Sequence, residues 1–301
     1  MTDRLMPVLV NREGGAAAKA GEGLVETIRA SFAAAGAAVE VSLLAPEEIA
    51  DAVKKASERA PRIVVAGGDG TISSAAQALR GRGTELALLP LGTLNHLARD
   101  LNIPTEMGAA AQLAAHGKPI AIDLGTVNGQ CFVNNASLGL YPEMVRARDA
   151  VRGRRKWPKW LATLPAAWDT LARLPHHRLR VTLGHEDRPL VTPLLFVGNG
   201  IYSLEQGEVG CRSTLQAGKL GIYAVAHRSR ASLIWFALRT LVGRADRRMD
   251  FVMLGESEEL EVATHGDRIE IAMDGEVQRI ATPLHFAIES KALKVVAGRT
   301  E

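Results

Sequence analysis

The first 125 residues alternate short β-branched runs with alanine-rich stretches, and this alternation restricts the fold more than any other feature of the chain. Pro7–Val10, Val39–Leu43, Arg62–Ala66, Leu86–Leu89 and Ile120–Leu124 read as buried strands. Ala16–Ala35, Glu47–Ala56, Ile72–Leu79 and Met107–Ala115 lie between them with helical composition and spacing. Parallel neighbours need crossover connections, so this order predicts an α/β domain with a parallel sheet wrapped by helices. Ligands of such sheets bind beyond the carboxyl ends of the strands, which directs attention to the loops that leave them.

From residue 126 the pattern changes. Gln130–Asn135, Arg178–Leu183, Leu190–Val197, Lys219–Ala226, Glu258–Ala263, Arg268–Met273 and Leu284–Ile288 read as closely spaced strands, several alternating with period two. They predict a β-rich second domain, an antiparallel sandwich or barrel, over 126–290. Lys159–Leu174 and Ala231–Val242 interrupt it as helices. A length of 301 residues agrees with two domains, and 47% hydrophobic with 23% charged residues can fill their cores.

Composition also excludes. Aromatics at 4% and a net charge of +3 suit neither a stacking surface nor a phosphate-neutralising one, so nucleic acid is not an expected partner. Cys131 and Cys211 belong to no disulfide or zinc pattern, and the histidines, His176–His177 included, show no ligand spacing. The start MTDRLMPVLV is too short for a signal peptide, and the longest apolar run, Leu233–Leu238, is cut by Arg239. The expected compartment is the cytoplasm.

Arg62–Ala66 runs directly into Gly67–Gly68–Asp69–Gly70–Thr71 and then a helical stretch, with the helix expected to begin at Thr71. Glycines let the main chain bend and bring its N–H groups against an anion, and a helix start adds amides and the positive end of its dipole. Asp69 would repel a bare phosphate, and it makes sense if Mg²⁺ lies between them, directly or through water. A ligand-free strand-to-helix turn explains this loop alone equally well.

One strand later, Leu86–Leu89 leads into Pro90–Leu91–Gly92–Thr93–Leu94–Asn95–His96, where Thr93 and Asn95 would offer uncharged hydrogen bonds to phosphate or ribose. Asn11 and Arg12 follow the first strand. All three loops would open on one sheet edge, and this convergence favours binding.

These segments, with Ile122–Asp123–Leu124–Gly125, Phe132–Tyr141 and Met273–Asp274–Gly275–Glu276, resemble the diacylglycerol kinase catalytic-domain family. Within it the chain is most similar to the soluble bacterial lipid kinases, relatives of sphingosine kinases. The resemblance implies an N-terminal domain related to phosphofructokinase and NAD kinase folds, with ATP and a lipid meeting between the domains. It implies that the last strand, Leu293–Ala297, returns to the first domain, which residues 291–301 would complete. It also implies Glu276 as the base that accepts the proton of a lipid hydroxyl, Asp274 as a metal or orienting carboxylate, and Asp123 as support for the metal network. Gly67, Gly68, Asp69, Gly70, Thr71, Gly92, Thr93, Asn95, Asn11 and Arg12 become the nucleotide site, Asp69 its metal ligand. The expected activity is ATP- and Mg²⁺-dependent phosphorylation of a lipid hydroxyl, diacylglycerol to phosphatidate.

Alternatives remain. Asp274–Gly275 between alternating runs is also a type I′ hairpin signal, and a turn presenting Glu276 at its tip satisfies both readings. An NAD kinase shares Gly-Gly-Asp-Gly-Thr, but Pro90–His96 lacks that family's Asn-x-Gly…Gly-Phe-Leu pattern. A regulator without catalysis is suggested by His96, where related kinases carry Asp, and by Leu215-Gln-Ala-Gly-Lys-Leu220, which lacks the acid of a structural-metal segment. The first loop, Asn11-Arg-Glu-Gly-Gly15, also departs from the family's Asn-Pro-x-Ser-Gly. Finally, residues 146–171 combine seven basic residues between Arg146 and Lys159 with Trp157, Trp160 and Trp168. Such a segment suits an anionic membrane surface, here the inner face, or else packs its apolar side on the β domain with the arginines solvated. A homodimer is left open.

Overall fold

A computed structural model of the chain describes residues 5–14, 22–139, 177–184, 186–202, 212, 214–225 and 251–298. The helices expected at Lys159–Leu174 and Ala231–Val242, the basic tryptophan-bearing segment 146–171, His176 and Cys211 lie outside them. The chain divides into two compact units, Met1–Leu124 with Glu289–Glu301, and Gly125–Ile288.

The first unit runs β1 (Met6–Asn11), α1 (Glu22–Ala34), β2 (Val39–Leu44), a 3₁₀ turn (Pro46–Glu48), α2 (Ile49–Ser57), β3 (Arg62–Gly67), α3 (Asp69–Leu79), β4 (Glu85–Pro90), α4 (His96–Asp100), α5 (Met107–His116) and the start of β5 (Pro119–Val127). The sheet order β2–β1–β3–β4 is parallel throughout. The last strand of the chain pairs beside β4, also parallel, through Lys294 and Val295. Strand residues alternate faces, and here both faces are covered. Val8, Val10, Val64, Ala66, Ala87 and Leu89 pack with Ile28 and Phe32 of α1 and the alanines of α5. Helix α2 buries Ile49, Val53 and Ala56, a spacing of four and three that makes one helical stripe. Glu106 caps α5 by accepting from the Gly108 and Ala109 amides at 2.8 and 2.6 Å. Its far end is held by the Arg62 guanidinium, which donates to the carbonyls of Ala114, Ala115 and Gly117.

The second unit contains the end of β5, β6 (Gln130–Phe132), β7 (Asn135–Gly139), β8 (His177–Leu183), β9 (Glu186–Thr192), β10 (Leu194–Asn199), β11 (Leu220–Val225), β12 (Phe251–Ser257), β13 (Glu259–Ala263), β14 (Arg268–Met273), β15 (Glu276–Ala281) and the first part of β16 (Leu284–Val296). One antiparallel sheet has the order β12–β11–β10–β7–β14–β15. A second layer pairs β9, β8, β13 and residues 284–287 of β16. Their inner residues form one core, with Ala136, Leu138, Val197, Ile222 and Ile271 from one layer and Val181, Leu260, Val262 and Phe286 from the other. Phe132 and Phe286 meet edge to face at 6.4 Å in it. This is the sandwich the alternation predicted.

Several boundaries differ from the sequence reading: Leu284–Ile288 and Leu293–Ala297 merge into one strand, Leu284–Val296, and Phe251–Ser257 is a further strand that the reading lacked. Helix α3 begins at Asp69 with Gly68 as its cap, two residues before Thr71. The run Leu190–Val197 is two strands broken at Pro193, which lacks the N–H a ladder needs. Gln130–Asn135 is also two, because the amides at 133–135 turn to the Asp274 carboxylate instead of a neighbouring strand.

Candidate functional site

The strand order of the first unit creates a switch point. From β1 the chain moves to β2 on one side, while β3 lies on the other, so the loops leaving β1 and β3 part from each other at the carboxyl edge. Asn11 ends β1 and Thr71 lies in the first turn of α3, and the two are joined there: Asn11 Nδ2 donates to Thr71 Oγ1 at 2.8 Å, with both side chains buried. Asn11 Oδ1 meanwhile accepts from the Glu13 amide at 3.0 Å and so shapes its own loop. Because Thr71 Oγ1 accepts from Asn11, its hydroxyl proton is directed toward another acceptor. The Arg12 side chain is exposed at the same edge.

Two glycine loops approach each other through bare backbone. A Cβ on Gly92 would lie 2.6 Å from Gly68 Cα, and one on Gly67 would lie 2.6 Å from the Thr71 side chain. These glycines answer to close approach rather than to positive φ. The first helical bond of α3 runs from Ile72 N to Gly68 O at 3.1 Å. The amides of Asp69, Gly70 and Thr71 precede it, and in any helix these are the donors that the helix itself does not use. They lie at the positive end of an eleven-residue helix.

Two residues read as ligand-binding have a structural task. Asn95 adopts the left-handed conformation (φ 49°) and is buried. Its Oδ1 accepts from Gly92 N at 3.0 Å and its Nδ2 donates to Gly92 O at 2.9 Å, so the amide group clasps its own loop. Asp69 accepts from Asn95 N at 3.0 Å and His96 N at 2.7 Å, which ties the first glycine loop to the start of α4. Each Asp69 oxygen takes one of these amides and keeps a further lone pair. That fits Mg²⁺, which retains most of its water and takes one or two carboxylates alongside phosphate oxygens. Among the described residues no cluster of three or more His, Cys, Asp or Glu forms a protein-only cation cage. Thr93 is exposed at the loop tip, and His96 is exposed beside it.

Asp123, in β5, belongs to the same unit. It is buried and accepts from the Lys291 amide at 2.8 Å, at the point where Lys291 takes a positive φ (55°) within β16. The carboxylate thus holds a kink in the returning strand.

In the second unit Asp274 (φ 47°) and Gly275 (φ 88°) form the two-residue turn between β14 and β15, with Met273 paired to Glu276. Both positive φ values match a type I′ hairpin. A Cβ on Gly275 would meet nothing within 4 Å, so conformation rather than crowding selects glycine. Glu276 is exposed on the strand leaving the turn. Asp274 is not open to a ligand in the same way: its oxygens accept from Val133 N at 2.8 Å, Asn134 N at 2.7 Å and Asn135 N at 3.2 Å. The residues that surround this peptide segment, Asn134, Asn199, Tyr202 and Arg212, were not singled out by the sequence. Only the placement of Asn134 beside Asn135 in the quoted 132–141 segment hinted at one of them.

The chain is similar to known proteins in part of its sequence and in its fold. Residues 6–127 match the family model of the diacylglycerol kinase catalytic domain. The "Probable lipid kinase YegS-like" protein of Pseudomonas aeruginosa (strain UCBPP-PA14) is 52% identical over 80 residues, 26% of this chain and 26% of that protein. Its namesake in Yersinia pestis (strain Pestoides F) is 42% identical over 81 residues, 26% of this chain and 27% of that one. The match thus spans about a quarter of the length of these relatives. A diacylglycerol kinase structure from Bacillus anthracis str. Sterne superposes with TM-score 0.68 at 18% identity, covering 99% of this chain and 98% of that one. Yeast NADH kinase complexed with NADH superposes with TM-score 0.54 at 13% identity, covering 99% and 85%. Both structures speak to the fold.

Proposed function

We propose that the chain is an ATP-dependent lipid kinase that transfers a phosphoryl group to a lipid hydroxyl, with diacylglycerol as acceptor and phosphatidate as product. The observation that carries this reading is the pair of glycine loops pressed backbone to backbone at the carboxyl edge of β3 and β4, with the first α3 amides and the Thr71 hydroxyl, bonded to Asn11 of β1, in the same loop. The similarity of residues 6–127 to the diacylglycerol kinase catalytic domain supports the same chemistry.

In this reading the amides of Asp69, Gly70 and Thr71 hold the phosphates of ATP, and Arg12 adds a cation at the edge. Bound Mg²⁺, held through Asp69, would supply neutralisation of phosphate charge. Glu276 takes the proton of the lipid hydroxyl as that oxygen bonds to phosphorus and the bond from phosphorus to the ADP oxygen breaks. Asp274 contributes by fixing the turn that bears Glu276, not by touching the nucleotide.

The test is transfer of label from γ-³²P ATP, with Mg²⁺, to a panel of mixed-micelle lipids and to NAD, the acceptor of the alternative raised by the shared Gly-Gly-Asp-Gly-Thr loop. Label in diacylglycerol supports the proposal, and label in NAD alone overturns it. Glu276→Gln should lower kcat by about 10²–10⁴-fold, the usual worth of a general base, with ATP binding retained.

A further inference from the structure

The peptide segment Val133–Asn134–Asn135 is held by opposite charges on its two polar sides. Its amides donate to the Asp274 carboxylate, the shortest from Asn134 at 2.7 Å. Its carbonyl side faces Arg212, whose Nη1 donates to Val133 O at 2.7 Å and to Asn199 O at 3.1 Å, and whose Nη2 donates to Asn134 Oδ1 at 3.1 Å. Asn199 Nδ2 adds a second donor to Val133 O at 2.8 Å, and Tyr202 donates its hydroxyl to Asn134 O at 2.9 Å. Arg212, Asn134 and Asn199 are all buried, and the guanidinium sits 5.6 Å from the Tyr202 ring centre.

One peptide bond therefore joins cation to anion. The guanidinium pulls on the carbonyl oxygen of Val133, and the N–H of the same peptide unit, that of Asn134, donates a hydrogen bond to Asp274. In a dry site such a chain polarises along its length, so the donor strength felt by Asp274 depends on Arg212. Asp274 in turn donates its own amide to Asn135 O at 2.9 Å and adopts the positive φ that the turn requires. Along this chain of contacts the influence of Arg212 passes through the backbone.

We infer that Arg212 is a positioning residue: acting through the 133–135 peptides, it fixes Asp274 and with it the hairpin that presents Glu276. The inference rests on the proposed role of Glu276 for its effect on turnover, while the structural coupling can be read without any activity. Lysine cannot imitate the fork, because one ammonium does not span three acceptors in the plane that the guanidinium serves.

The experiment uses the full chain and the variants Arg212→Met, Arg212→Lys, Asp274→Asn and the pair Arg212→Met/Asp274→Asn. Amide proton shifts are recorded first, by transverse-relaxation-optimised NMR without nucleotide. The Asn134 amide proton should move upfield in both Arg212 variants, more in the methionine one, because its bond to Asp274 weakens. In the transfer assay, Arg212→Met should lose about 10–100-fold in kcat, the loss expected for a buried charged hydrogen bond and a displaced base, with KM for ATP unchanged. Arg212→Lys should recover part of it. The pair should be no worse than the more severe single variant, the signature of one shared path.

An Asn134 amide that stays put in a folded Arg212 variant overturns the inference. So does multiplication of the two losses in the pair. Should Arg212→Met not fold, Arg212→Lys decides alone, with a kcat loss of about threefold or more and a moved Asn134 amide as the expected pair of results. Full turnover in Glu276→Gln would instead overturn the base assignment and leave the NMR result to judge Arg212 independently.

Discussion

Replacing Gly92 by alanine should break the first unit's site more severely than replacing Gly68, although both glycines belong to the same contact. The Cβ that Gly92→Ala introduces would lie 2.6 Å from Gly68 Cα and 2.7 Å from Asn95 Oδ1. Carbon atoms rest at about 3.5–4.0 Å, so the two loops would have to separate by roughly 1 Å. Neither neighbour can swing away, since one is backbone and the other is the oxygen that accepts the Gly92 amide. Overpacking of this kind costs about 1–3 kcal/mol, and loosening the two Asn95–Gly92 bonds adds about 1 kcal/mol each, so a loss of about 3–5 kcal/mol is expected. The Cβ introduced by Gly68→Ala meets Gly92 Cα at 3.3 Å, with a φ of −94° that any residue adopts. A few tenths of an ångström relieve it, and the stiffer unfolded chain offsets part of the strain, so the change should stay within about 1 kcal/mol. Hydrogen exchange in urea, followed by mass spectrometry on peptides covering 85–100, reads this unit by itself. Equal protection in the two variants would refute the steric argument.

Other consequences follow from the same bonds. Asn95→Ala loses both contacts to Gly92 and forces alanine into the left-handed region, whereas Asn95→Gly avoids the second penalty; the glycine variant should be the more stable by about 1 kcal/mol in the same exchange experiment. Glu106, whose carboxyl is held below the ordinary value by the amides of Ala109 and Gly108, contributes to α5 only while ionised. That contribution is complete above the ordinary carboxylate pKa of about 4 and fades as pH falls through the lower, folded-state value, so the protection of α5 amides, taken relative to the intrinsic exchange rate at each pH, should fall on acidification in the wild type and vary less with pH in Glu106→Gln. Residues 146–171 carry two alternatives: contact with an anionic membrane requires Trp157→Ala and Arg154→Ala each to reduce sedimentation with anionic vesicles, whereas packing on the β domain leaves sedimentation unchanged.

The elements of the first unit were legible because the inner strands β1, β3 and β4 are continuous apolar runs covered on both faces, and helix α2 carries its own stripe. Arg62–Gly67 and Ile49–Ser57 show this most clearly. The sandwich was legible in the alternation of Arg268–Met273, and the type I′ turn in its Asp-Gly pair. The break at Pro193 was also visible, had the missing N–H been weighed against the apolar run. The tasks of Asn95, Asp69 and Asp274 were not. A polar residue in a glycine-rich loop looks the same whether it faces a ligand or clasps its own backbone, and only the partner's position separates the two. Asp274 meets residues 139–141 positions away, and Arg212 meets Asn134 at a separation of 78. No local spacing encodes such pairs.

The central claim is that the turn at 67–71 grips phosphate through main-chain N–H groups, and amide NMR during nucleotide titration addresses it directly. Addition of ATP with Mg²⁺ should shift the resonances of Asp69, Gly70 and Thr71 in a saturable manner, together with Gly92 across the contact. Saturation with those four amides unmoved, or no saturable response at all, would contradict it.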